Sequence, residues 1–124
     1  MSKADLEAWV NAYIQAQEIG VADASHPLWW SIDKFMEKVQ TDPDLAWEAI
    51  LSIAHRQPSQ RVLGMLSAGP LEDLIEQHGE AFINRIEQVA STDASFRKML
   101  ENLWESGTPE VWQRIMAAKD LARP

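Results

Sequence analysis

Glu72, Asp73 and Glu76 precede His78 within the stretch AGPLEDLIEQHG at 68–79, and carboxylates grouped with an imidazole are the parts of a cation site or a proton relay. Glu72 and Glu76 are four residues apart and share one helix face, while Asp73 lies about 100° further round and His78 follows at the expected helix end. The same positions suit helix termini. Acids stabilise the positive N-terminal end of a helix and a histidine its C-terminal end, so binding site and helix cap both stand as readings of this cluster.

Aromatic residues make the second group. Six tryptophans in 124 residues is a high count, and two of them, Trp29 and Trp30, are adjacent. With the apolar face of their helix centred between Ile32 and Val39, Trp29 falls at its edge and Trp30 nearly opposite, beside Asp33 and Glu37. One helix cannot bury both rings on a single face. Trp30 therefore either meets a further element, such as the N-terminal helix, or stands partly exposed. An exposed aromatic ringed by acids is the kind of anchor that receives Arg or Lys. Trp47, Trp104 and Trp112 lie on or beside apolar stripes and are expected in the core.

Other chemistry lacks its parts. The histidines at 26, 55 and 78 are scattered, HExxH is missing and there is no cysteine, so neither a metal nor another cofactor is expected and no catalytic residue is assigned. Gly64 and Gly69 have the spacing of a phosphate-binding loop, yet Pro70 and Leu71 stand where Lys and Ser or Thr belong. Ser59 and Ser67 lack the setting of a nucleophile elbow. A helix-turn-helix over 59–78 would present Glu72, Asp73 and Glu76 to DNA, which repels them.

Charge narrows the partners. The formal net is −8: residues 1–40 hold six acids and three bases, 41–78 six and two, and 79–124 seven and six, so the excess lies in the first two thirds. Nucleic acid and anionic membranes are disfavoured, and a basic protein is the expected partner. No apolar run approaches the roughly 20 residues of a membrane span, and the acidic start is unlike a signal peptide. A cytoplasmic setting is expected.

The elements that position these groups are helical throughout. Apolar residues recur at helical spacing with no strand-like alternation, giving one all-α domain over 1–124. About seven antiparallel helices in a compact bundle or short stack are expected, with a HEAT-like arrangement left open. The first runs over about 3–17; the second starts at His26-Pro27 with Leu28, Ile32, Phe35, Met36 and Val39 inward; the third, from Asp42-Pro43, is apolar on most sides. Shorter helices start at Ser59 and at Gly69-Pro70, the latter closed by His78-Gly79. Helices over about 80–91 and 94–106 follow, and Thr108-Pro109 opens the last.

HPLWWSIDKFMEKV at 26–39, DPDLAWEAI at 42–50, AGPLEDLIEQHGEAFINRIE at 68–87, FRKML at 96–100 and VWQRI at 111–115 together resemble a family of small bacterial helical domains of unknown function. The resemblance covers about three quarters of the chain, from about 26 to 118, and leaves out the first 25 residues. It implies an all-helical fold and a bacterial, cytoplasmic setting, and brings no activity.

The functional expectation is a non-enzymatic protein-binding domain, of the kind that serves as an immunity or inhibitor protein by occluding a basic partner. Its binding residues are expected among Trp29, Trp30, Asp33 and Glu37 and among Glu72, Asp73, Glu76 and His78. A self-associating structural or regulatory adaptor is the alternative. An enzyme or small-ligand binder using Glu72, Asp73, Glu76 and His78 ranks last. The oligomeric state is left open.

Overall fold

The computed structural model describes residues 2–120, and these are helical with no strand. Seven α-helices are formed among the described residues: α1 (Lys3–Ile19), α2 (Trp29–Thr41), α3 (Pro43–His55), α4 (Gln60–Leu66), α5 (Glu72–Thr92), α6 (Ala94–Leu100) and α7 (Pro109–Lys119). A π-helical turn, Ser67–Leu71, joins α4 to α5 without a break.

Most starts follow local capping chemistry. Ser2, Asp42, Ser59, Asp93 and Thr108 each accept a hydrogen bond from the backbone N–H three residues on, at the heads of α1, α3, α4, α6 and α7. Pro43 and Pro109 occupy the first turn, where a missing N–H costs nothing. Gly20 ends α1 in the left-handed conformation at φ 85°, which a residue with a Cβ adopts only under strain.

The expected start of α2 moves by two residues. His26-Pro27 forms a turn in which the Leu28 N–H donates to His26 Nδ1 and the Trp29 N–H to the His26 carbonyl, and the helix begins only at Trp29. The break expected at Gly69-Pro70 is also absent. Proline has no N–H and crowds the preceding turn, and the wider π turn accommodates Pro70 inside a continuous run.

The helix end expected at His78-Gly79 is present as a kink at which two helical segments join. The backbone kinks at His78 (φ −137°, ψ 23°) and α5 continues to Thr92. Gly79 is buried because α7 crosses there: a Cβ at this position would lie 3.0 Å from Val111 Cγ1. Close helix approach, a tertiary demand, gives that glycine its use.

The core has two aromatic centres. Trp9 and Tyr13 of α1 pack on Phe35 of α2 at ring separations of 4.5 and 5.0 Å, and Trp9 Nε1 donates to the Ser31 carbonyl at 2.9 Å. Trp47 of α3 packs between Phe82 of α5 and Phe96 of α6 at 5.9 and 5.8 Å. As its apolar circumference predicts, α3 is covered on several sides, meeting α1, α2, α5 and the π turn. Among the described residues α5 and α7 share the most extensive helix–helix contact.

Two residues expected inside are outside. Met36 is 45% exposed, since Ser31, Phe35 and Val39 are the α2 side chains that face the core. Trp104 is 77% exposed: α6 stops at Leu100, and residues 101–108 form a loop instead of further helix. Trp112 is partly buried against the core.

Candidate functional site

The buried line Ser31, Phe35 and Val39 fixes the rotation of α2, because Trp9 is bonded to Ser31 and stacked on Phe35. At about 100° per residue, Asp33 and Glu37 then fall on the opposite side, one helical turn apart. Trp30 flanks them on one edge and Trp29 with Met36 on the other. Trp30 is 44% exposed and Trp29 partly buried, so the adjacent indoles part company as the helical geometry requires.

Cations near this ridge are partly engaged. The Lys34 ammonium lies over the Trp9 ring at 5.2 Å from its centroid, and Lys38 Nζ is 3.4 Å from Glu37 Oε1. Asp33 is exposed and has no ion pair among the described residues. Beyond the Trp29 edge a groove of about 710 Å³ opens between α2, α4 and the turn after α1, with Val21, Trp29, Ile32 and Met65 as apolar walls. Arg61 lies at its side, its Nε donating to the Gln17 carbonyl at 2.9 Å.

The second expected cluster does not converge on one point. Glu72 Oε2 accepts from the Trp104 N–H at 3.3 Å, and Glu76 Oε2 from the Gly107 N–H at 2.8 Å. These carboxylates clamp the 101–108 loop by its backbone. His78 turns to a different element: its Nε2 lies 2.7 Å from the Val39 carbonyl of α2, and since a carbonyl only accepts, that nitrogen carries the proton. Asp73 stays largely in solvent, its carboxyl held above the usual range by partial burial and then by the neighbouring Glu72 charge.

Thus Glu72 and Glu76 fasten a loop and His78 fastens α5 to α2, while Asp73 is left with a like-charged neighbour. A cleft of about 530 Å³ does pass Glu76, His78, Gly107 and Thr108, and these four are bonded within the fold, while Gln77 and Glu80 also line it. Among the described residues no three acidic, histidine or cysteine side chains group as metal ligands. His55, exposed on α3, has Oδ2 of Asp93 at 3.7 Å, and Asp93 is engaged as the cap of α6.

Sequence reasoning missed the loop as a feature. Its signal was the punctuation Ser106-Gly107-Thr108-Pro109, read as a helix end several residues too late. The partners that hold it lie 31 and 32 residues away in the chain, beyond any local pattern.

Among the described residues no helix is long and apolar enough to cross a membrane. No curated protein and no solved structure matches the chain. A family model described as a family of unknown function (DUF6869) matches residues 19–122, so that all but the last residue of α1 lies before the matched region, although α1 supplies Trp9 and Tyr13 to the core. The chain belongs to this family of unknown function.

Proposed function

We propose that this protein is a non-enzymatic binding domain that docks a basic protein on the outer ridge of α2. The observation that carries the reading is Trp30, 44% exposed beside Asp33 and Glu37 on a helix whose rotation is locked from the inside. Tryptophan is enriched among the residues that carry most of the binding energy at protein interfaces. Its acidic neighbours suit an Arg or Lys that stacks on the ring while its charge meets the carboxylates.

The net charge of −8 extends the same preference outward, raising the encounter rate with a basic partner. Where that partner acts on nucleic acid, the domain serves as an immunity or inhibitor protein, covering the surface that phosphates would occupy. A HEAT-like stacking of the helices fits this role, since stacked hairpins present outer ridges as contact surfaces. A bacterial, cytoplasmic setting belongs to the same proposal.

The competing reading is a self-associating adaptor, favoured by the exposure of Met36, Met65 and Ile19. A photo-crosslinking amino acid in place of Met36, exposed at the edge of the same ridge, introduced into the full chain in its native cells, separates the two. The expected result is a discrete adduct with a basic protein, lost in high salt and in the Asp33→Asn, Glu37→Gln variant. An adduct with a second copy of the chain, insensitive to salt, supports the adaptor. Equal labelling from the same group placed at the exposed Gln113 of α7 sinks the ridge as a site.

A further inference from the structure

Among the described residues Trp104 is the most exposed large apolar side chain at 77%, and it sits on a loop that is held rather than free. Glu72 and Glu76 bond the loop backbone at Trp104 and Gly107, Ser106 is buried with its hydroxyl donating to the Trp104 carbonyl at 3.0 Å, and Gly107 takes φ 76° over the Ile75 carbonyl. A Cβ at Gly107 would be 3.2 Å from that carbonyl oxygen, so the close seat of the loop on α5 also depends on glycine. The fold thus fixes a backbone whose most prominent side chain it leaves in water.

The two carboxylates bonded to the loop, Glu72 and Glu76, adjoin Asp73 in the chain, and Glu105 directly follows Trp104. Neither Asp73 nor Glu105 has an ion pair among the described residues. Partial burial and, after it, the Glu72 charge disfavour ionisation of Asp73, and an incoming cation would offset the second of these.

We infer that Trp104 and the carboxylates around it form a second docking surface, distinct from the α2 ridge, for an Arg- or Lys-bearing segment of a protein partner. The cationic side chain stacks on the indole and its charge is met by Asp73 and Glu105. Pre-fixing the loop lowers the ordering cost of that contact, which gives the two backbone-bonding glutamates a role in binding without touching the partner.

The test is selection of a displayed library of short random peptides on the whole protein, followed by binding of the enriched peptides to Trp104→Ala and Trp30→Ala. Trp104 is exposed, so its replacement is expected to keep the wild-type circular dichroism and melting temperature. The inference expects enriched peptides rich in Arg or Lys that bind Trp104→Ala at least about tenfold more weakly and Trp30→Ala unchanged. A Glu72→Gln, Glu76→Gln variant that remains folded should weaken them by a smaller factor, about threefold. No enrichment, peptides without basic residues, or undiminished binding to Trp104→Ala overturns it. Loss on Trp30→Ala alone overturns it and leaves the proposed function standing, as does loss on both, which merges the surfaces. A dimer in sedimentation that Trp104→Ala dissolves would assign the surface to a second copy and overturn it as well.

Discussion

Tyr13 shows what a single polar atom costs in this core. Its ring packs edge-on to Phe35, yet its hydroxyl is buried without a hydrogen bond of ordinary geometry. Burial pushes the phenol far above its ordinary range, a shift only partly offset by the Gln17 side chain. A folded-state value above the unfolded one means that the neutral phenol is favoured by folding: the contribution is complete below about pH 10 and is lost as the pH rises further. Tyr13→Phe should therefore leave stability unchanged or raise it by about 1 kcal/mol at neutral pH, and the gain should widen above about pH 10, as read from urea unfolding across that range. A loss above about 2 kcal/mol at neutral pH would mean that the hydroxyl has a partner worth keeping.

At the scale of elements, the partnership of α5 with α7 determines how the second half of the chain is built. Gly79 lets Val111 approach, and Arg114 of α7 donates from Nε to Glu87 Oε2 of α5 at 2.9 Å. Exposure limits what that ion pair contributes, whereas the Gly79 contact is buried. Gly79→Val should cost about 2 kcal/mol, because the added branches meet a β-branched side chain that cannot rotate away within its own helix. Thermal unfolding measures the loss, and the paired Gly79→Val, Val111→Ala variant should recover part of it. A fully additive pair would show that the helices do not depend on this contact.

For the whole molecule, the acidic balance acts through surfaces rather than through chemistry. The segment charges place the excess in residues 1–78, but the fold brings the 101–108 loop, with Glu105 beside Trp104, onto Glu72 and Glu76. Each of the two proposed surfaces pairs an exposed indole with carboxylates. The full chain should not retard duplex DNA in native gels even at low salt, because phosphate binding needs bases in a continuous patch. Retardation that fades with a steep salt dependence would reveal a basic face and remove the ground for a basic partner.

The all-helical class, most helix starts and the separation of Trp30 from Trp29 were legible in the sequence for one physical reason. Hydrophobic periodicity and capping act within a few residues, so Ser2, Asp42, Ser59, Asp93 and Thr108 cap where their spacing predicts, and the α2 pattern separates Trp29 from Trp30 without reference to any other helix. The acidic cluster was visible as a cluster, not as a clamp. Whether Glu72 and Glu76 hold a ligand or a loop depends on backbone N–H groups about thirty residues away, and those are brought near only by packing. The histidine–glycine pair announced the kink at His78 locally, whereas the close approach of α7 to Gly79 is non-local. Trp104 was misplaced because helical spacing continues past Leu100. The chain leaves the helix there to let Gly107 and Ser106 seat on α5, and that choice belongs to the tertiary structure alone.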